Sequence, residues 1–155
     1  MGKYLGEVLP PNIFEFFQKK TMTGVASTVD EDGFPRGAPM SMFYALDNQN
    51  ILMAVQNRSG TFKNAGATGK IALSFIGSDD IAFSLQANAV VFRENMENSK
   101  HMGILLLRCR SVKSDVAVDV KVKEGMKTPW RSDYWKEFVI KLLAELRSYT
   151  LEDIE

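Results

Sequence analysis

The sequence predicts a mainly β fold, an antiparallel barrel or strongly coiled sheet with flanking helices. Six apolar runs follow one another with short polar turns between them, which is typical of barrels. The links between the first three runs are too short for a crossover helix, which favours antiparallel pairing. Composition agrees with a soluble globular protein, because 45% of the 155 residues are hydrophobic and 25% are charged.

The first predicted element is a short helix in the run NIFEFFQKK. This run follows two prolines, and Asn12 is placed to cap the helix. Ile13, Phe16 and Phe17 recur at the spacing of one helical face.

Three strands are predicted next. GVASTV at 24–29 reaches the turn DEDG, in which Gly33 tolerates a positive φ, and the chain resumes in PRGAPMSMFYAL at 35–46. A second turn, DNQN at 47–50, separates this hairpin from ILMAV at 51–55. The pattern predicts an antiparallel meander.

A second short helix is predicted in SGTFKNAGATG at 59–69. Phe62 and Ala65 stand at helical spacing, and the helix is expected to begin near Ser59 to Thr61.

The remaining strands follow this helix. KIALSFIG at 70–77 and IAFSLQANAVVFRE at 81–94 predict two long neighbouring strands. The polar run ENMENSKHMG at 94–103 is interpreted as helical, and GILLLRCRSVKSDVAV at 103–118 as the last strand.

The tail predicts an amphipathic helix that begins after Ser132, where Asp133 suits the positive helix start. Its apolar residues at helical intervals are Trp135, Phe138, Val139, Leu142, Leu143 and Leu146. This stripe predicts packing against the barrel or against a second subunit. We therefore expect one domain, 1–155, with its barrel at about 20–122 and a helical extension at about 132–148.

Charge and cysteine content argue against several functional classes. Nineteen basic and nineteen acidic side chains cancel, so no overall field draws the protein to nucleic acid or to an anionic membrane. No run approaches the roughly 18 to 20 apolar residues of a membrane span. The one cysteine, Cys109, has no disulfide partner, and its strand-like setting LLLRCRSV predicts an inert thiol. We expect a reduced, cytoplasmic protein.

The segment QNRSGTFKN at 56–64 is open to two interpretations. Its residues with binding chemistry are Gln56, Arg58, Ser59, Gly60, Thr61 and Lys63. Two hydroxyls, a flexible glycine and two cations suit an anion, because the first amides of a helix are unpaired and partly positive. In the alternative, Ser59 only caps the helix and both cations face water. The residues alone leave both interpretations open.

No protein-borne catalytic group is predicted. The sequence lacks GxxxxGK[ST] and a GxGxxG run after a strand, and it shows no Ser-His-Asp or Cys-His spacing. The only histidine, His101, lies in a polar segment and is interpreted as a surface residue, so no metal site is predicted. Any reaction would therefore depend on a bound cofactor.

Taken in order, these pieces resemble the pyridoxamine 5′-phosphate oxidase-like, FMN-binding split-barrel family. The resemblance covers residues 12–94 and, loosely, 103–120. It is carried by GVASTVDEDGFPRGAPMSMFYALDNQNILMAVQNRSGTFKNAGATGKIALSF. This run contains a strand, a DG turn followed by proline, two further strands, and a helix start rich in Ser, Thr and Lys.

The resemblance assigns cofactor contacts to this sequence. The family's Ser-Arg-Lys phosphate contact falls on Ser59, Gly60 and Thr61, so Arg58 and Lys63 stand in for the two cations. The strand positions that line the flavin fall on Ala38, Pro39, Met40 and Ser41. None of these four is cationic, unlike in true pyridoxamine phosphate oxidases, which argues against that substrate.

The resemblance implies a six-stranded antiparallel split barrel that forms a homodimer with FMN at the subunit interface. It implies an FMN-dependent oxidoreductase, a reductase of a small substrate that uses a reduced nicotinamide donor. Trp130 and Trp135 would then cover a cofactor edge, or simply pack in the interface. Alternatives that keep the fold are a non-catalytic FMN-binding or stress-related protein, and a protein that binds haem or a deazaflavin.

Overall fold

The computed structural model describes residues 2–19 and 22–155. Its strands are β1 (Lys3–Gly6), β2 (Gly24–Val29), β3 (Pro35–Met40), β4 (Phe43–Ala45), β5 (Asn50–Gln56), β6 (Lys70–Gly77), β7 (Ile81–Arg93) and β8 (Met102–Ser114). Its helices are α1 (Pro11–Lys19), α2 (Gly60–Thr68) and α3 (Asp133–Ser148), and a short 3-10 helix, Leu151–Ile154, follows α3. The predicted mainly β class with flanking helices is confirmed.

All eight described strands belong to one antiparallel sheet. The order is β3-β2-β6-β7-β8-β5-β4, and β1 pairs with the end of β8. The terminal strands of this path, β3 and β4, are consecutive in the chain, and only residues 41–42 separate them. A link of this length spans at most about 11 Å, so the sheet must curl until its ends nearly meet. The result is the predicted split barrel, open between β3 and β4.

The prediction of six strands is wrong by two. Strand β1 lies in a stretch without alternating hydrophobicity, and it pairs with β8 at only three positions. The run predicted as one strand at 35–46 is broken at residues 41–42 into β3 and β4. The break is required because the chain passes there from one end of the sheet to the other.

Two local predictions also differ from the structure. Helix α1 begins at Pro11 rather than after a cap at Asn12, since the fixed φ of proline suits the first helical position. The segment 94–103 is not helical: it consists of turns, with a bridge between Met96 and Ser99, and leads into β8.

Apolar side chains cover both faces of β5, which pairs with β4 on one side and β8 on the other. Ile51, Met53 and Val55 pack inside the barrel, whereas Leu52 and Ala54 pack on the outside, beneath α3. Burial on both faces explains why this strand is an unbroken apolar run and does not alternate.

Helix α1 closes the barrel with aromatic rings. Phe16 and Phe17 approach Phe75 with ring centroids 5.3 and 5.4 Å apart, and Phe17 approaches Phe43 at 5.9 Å. These are edge-to-face contacts, the favoured geometry of aromatic pairs. The barrel interior is therefore a packed core, and a ligand must bind outside it.

Helix α3 is fastened to the outer face of the sheet. Leu142 and Leu146 are fully buried there. Between them, the carboxylate of Glu145 accepts hydrogen bonds from the amides of Glu97 at 2.7 Å and Asn98 at 2.9 Å. The polar segment before β8 is thus held by α3 instead of forming its own helix. In residues 2–19 and 22–155, no helix combines the length and apolar character needed to cross a bilayer.

Candidate functional site

The start of helix α2 presents unpaired amides. Ser59 caps the helix, because its hydroxyl oxygen accepts a hydrogen bond from the Phe62 amide at 3.2 Å. The amides of Gly60 and Thr61 have no acceptor within the described part of the chain. Such amides, together with the helix dipole, are suited to binding phosphate.

A groove of about 830 Å³ opens in front of these amides. We call it the α2 groove. It lies between α2, β3 and the turn at 30–32. The residues predicted from the sequence that line it are Ala38, Met40, Ser59, Gly60, Thr61 and Lys63. Its size falls within the range of about 300–1,000 Å³ that is usual for small-molecule sites.

Thr61 has hydrogen-bonding capacity that the fold does not use. Its side chain is only 7% exposed and lines the α2 groove. Its hydroxyl makes no hydrogen bond to residues 2–19 or 22–155, whereas every fully buried polar side-chain atom in that part has a partner. The Thr61 oxygen must therefore reach the groove surface. Gly60 adds space beside it, because a Cβ built there would meet no atom within 4 Å.

Charge is unevenly distributed along the α2 groove. One end is the acidic turn at 30–32. Asp30 pairs with Arg36 at 2.8 Å, and this hydrogen bond holds the pKa of Asp30 below its usual range. At the other end Lys63 is exposed, with no carboxylate in ion-pairing distance among the described residues. A phosphate would be repelled by the turn and attracted to the start of α2.

The residues predicted to line the flavin are divided between two grooves. Ala38 and Met40 line the α2 groove, whereas Pro39 and Ser41 line a second one. Successive side chains along a strand point to opposite faces, which explains the division. Met40 borders both grooves, so the two are adjacent.

The second groove, of about 700 Å³, lies between β3 and the segment that leads into α3. We call it the tryptophan groove, because Trp130 and Trp135, the only two tryptophans of the chain, line it. Each is 49% exposed. Arg131 lies beside them.

Gln56 and Arg58 line neither groove. Gln56 is the exposed last residue of β5, and its carbonyl accepts a hydrogen bond from the Ser59 amide at 3.0 Å. Arg58 is an exposed residue of the turn that follows. Both shape the entry into α2, and Lys63 is the cation of this segment that reaches the α2 groove.

Sequence reasoning missed Asn57, which positions this entry. Its side-chain nitrogen donates to the carbonyls of Glu94 and Lys100, both at 2.9 Å, and to Oδ1 of Asn95 at 3.1 Å. Its own amide donates to the carbonyl of His101 at 3.0 Å. These bonds fix the turn before α2 to the polar segment before β8. An asparagine in a turn is the only signal in the sequence, and it does not reveal distant partners.

Two other reactive residue types lie outside both grooves. Cys109 is buried, and burial raises the pKa of its thiol to about 11, so the sulfur stays protonated. His101 is exposed in the turn before β8. In the part of the chain that the structure describes, no three His, Cys, Asp or Glu side chains come together where they could hold a metal ion.

Comparison with known proteins shows a family match over most of the chain. Residues 9–125 match the family described as pyridoxamine 5′-phosphate oxidase. No curated protein matches the chain.

Solved structures with the same fold carry diverse names. A candidate pyridoxamine 5′-phosphate oxidase from Lactobacillus delbrueckii has a TM-score of 0.58 at 20% identity and covers 71% of this chain and 98% of its own. General Stress Protein 26 from Bacillus anthracis has a TM-score of 0.53 at 13% identity, and the match covers 68% of this chain and 94% of that protein. HutZ, the haem storage protein from Vibrio cholerae, has a TM-score of 0.53 at 14% identity, and the match covers 67% of this chain and 92% of that protein. At these identities the likeness shows the fold alone.

Proposed function

The chain belongs to the pyridoxamine 5′-phosphate oxidase family, and from this premise we propose that it binds FMN and acts as a flavin-dependent oxidoreductase. The proposed reaction is the reduction of a small substrate with a reduced nicotinamide donor. The observation that carries the proposal is the α2 groove, where two unpaired amides, an unused hydroxyl and an exposed cation converge. FMN, when bound, would supply the hydride or electron transfer.

The groove residues offer a phosphate hydrogen-bond donors, positive charge and space. The amides of Gly60 and Thr61 and the Thr61 hydroxyl are available donors. The Ser59 oxygen already accepts from Phe62, but its own proton is still free to be donated. Lys63 adds positive charge. The missing side chain of Gly60 leaves room for the phosphate to approach the backbone.

Pyridoxamine phosphate is not the proposed substrate. Residues 38–41 carry no cation that could bind the phosphate of a second ligand. Ala38 and Met40 instead give the α2 groove an apolar wall on β3, against which a flat ring can pack and exclude water.

The proposal predicts that the purified protein retains FMN after reconstitution and desalting. Visible absorption measures this retention, and loss of the oxidised-flavin absorption on adding NADH or NADPH measures reduction. A reconstituted protein without flavin absorption contradicts the proposal. Flavin that is retained but not reduced by either donor supports the second candidate, a non-catalytic FMN-binding or stress-related protein.

The same spectrum tests a different cofactor. One solved relative is named a haem storage protein, so haem is an alternative, and a deazaflavin is another within this fold. His101 lines neither groove, which counts against haem. A Soret band, or selective binding of a deazaflavin over FMN, would replace FMN in the proposal.

We also propose a homodimer with FMN at its interface, as in the family that the sequence resembles. A suitable contact is the outward face of β2, β6 and β7, where cross-strand neighbours are small or uncharged: Val25, Ser27, Ala72, Ser74, Ser84 and Gln86. Because these side chains are uncharged and most of them are short, a second copy can approach this face closely. Light scattering should give twice the mass of one chain, and a monomer would contradict the proposal.

A further inference from the structure

The tryptophan groove exposes aromatic surface that the fold does not need. Trp130 and Trp135 are each 49% exposed, and neither belongs to either hydrophobic cluster of the core. Large aromatic side chains stabilise a fold most when they are buried. Two half-exposed indoles in one groove therefore indicate a surface that another molecule covers. The phosphate site at α2 does not use them.

Neighbouring contacts hold Trp135 in place. Ser132 caps α3 by accepting a hydrogen bond from the Trp135 amide at 3.4 Å. The Trp135 ring makes edge-to-face contacts with Tyr134 and Phe138, with centroids 5.1 and 5.6 Å apart. A ring that is oriented before binding loses little conformational entropy when a ligand stacks on it.

Among the described residues that line the tryptophan groove, Arg131 alone is charged. No Asp or Glu lines the groove, and Arg131 has no carboxylate in ion-pairing distance among residues 2–19 and 22–155. The other polar side chains of the lining are the neutral hydroxyls of Thr23, Ser41 and Thr128. An unpaired guanidinium beside flat apolar rings favours a ligand that is itself flat and carries a carboxylate.

From these features we infer that the tryptophan groove binds a small aromatic carboxylate. The ring lies against the indoles of Trp130 and Trp135, and the carboxylate pairs with Arg131. The volume of about 700 Å³ accommodates such a ligand. Met40 borders both grooves, so this ligand would be the substrate class of the flavin reaction; that last step rests on the proposed function, whereas the binding itself does not.

Intrinsic fluorescence tests the inference, because both tryptophans of the chain lie in this groove. The full-length protein is titrated with benzoate, benzamide and acetate at constant ionic strength, as purified and again with added FMN. A saturable change with benzoate, with weaker binding of benzamide and acetate, is the expected result. No saturable response to benzoate, or an equal affinity for acetate, would overturn the inference.

A charge-removing variant tests the role of Arg131. Arg131→Gln is expected to weaken benzoate binding about tenfold, through loss of a charge-assisted hydrogen bond, and to leave benzamide binding unchanged. Arg110→Gln is the matched control, since Arg110 is an exposed arginine on β8 outside this groove. Wild-type benzoate affinity in Arg131→Gln would contradict the inference.

A second copy of the chain is the competing occupant. Tryptophan emission that changes with protein concentration but not with benzoate would assign the indoles to a subunit interface and overturn the inference. The readout is tryptophan emission and not activity. A failed benzoate titration therefore leaves the FMN proposal standing, and a failed FMN reconstitution leaves a benzoate result standing.

Discussion

Ser59→Asp is expected to weaken FMN binding about 30-fold while leaving the fold as stable as before. Aspartate caps a helix as well as serine does, so the Phe62 amide, which bonds to Ser59 at 3.2 Å, keeps an acceptor. The new carboxylate would stand beside the FMN phosphate, and like charges about 4 Å apart at a solvent-screened site repel by roughly 2 kcal/mol. Weaker FMN binding with unchanged stability would support the interpretation of QNRSGTFKN as a phosphate site. Unchanged binding would support the interpretation in which Ser59 only caps the helix.

A flavin fluorescence titration measures the affinity, and thermal unfolding without flavin measures stability. Ser132→Asp is the matched control, because Ser132 caps α3 in the same way and lies outside the α2 groove. This control should bind FMN as the wild type does. Unchanged FMN affinity in Ser59→Asp would place the phosphate away from the start of α2.

Strands were predictable from the sequence wherever alternation was strong. The run KIALSFIG becomes β6 with the predicted bounds, and its residues alternate between buried and more exposed positions. Helix α2 was predictable because a cap, a short apolar face and a closing glycine are local signals. Gly69 ends it with a φ of 69°, a conformation that favours glycine.

Elements that depend on distant partners were not predictable. The polar segment at 94–103 forms turns because Asn57 and Glu145 hold its backbone, and these residues lie 37 and 48 positions away from their partners. No local pattern encodes those bonds. The break at residues 41–42 has the same origin, since strand propensity continues through it and only closure of the barrel requires it.

The candidate site was predictable as a segment but not as a surface. To assign Ser59, Gly60 and Thr61 to the candidate site, it was enough to recognise the start of α2 in the sequence. The placement of Ala38 and Pro39 in different grooves follows from strand alternation, a rule that could already be applied to the sequence. The tryptophan groove joins residues near 40 to residues near 130, and only the folded chain brings these together.

Glu145→Ala is expected to lower the free energy of unfolding by about 3 kcal/mol, or roughly 10 °C in Tm. Glu145 is 7% exposed, and its carboxylate accepts bonds from the Glu97 amide and from both the amide and side chain of Asn98. Alanine preserves helix propensity but leaves these donors without an acceptor under α3. Thermal and denaturant unfolding measure the loss. Glu137→Ala, at an exposed glutamate of the same helix, should change stability by less than about 0.5 kcal/mol.

Glu145→Gln tests whether charge contributes to this anchor. Burial alone would raise the pKa of Glu145, but the hydrogen bonds from Asn98 and Glu97 outweigh it and hold the pKa below the ordinary value of 4.5. The stabilisation is therefore present above pH 4.5 and is lost as the pH falls through the lower folded-state pKa. Burial and the charge of Glu145 raise the pKa of Tyr149, so its hydroxyl stays neutral over this range. Acid should thus destabilise the wild type more than Glu145→Gln. Equal acid sensitivity of the wild type and Glu145→Gln would mean that the charge of Glu145 does not anchor α3 and that the packing of Leu142 and Leu146 does.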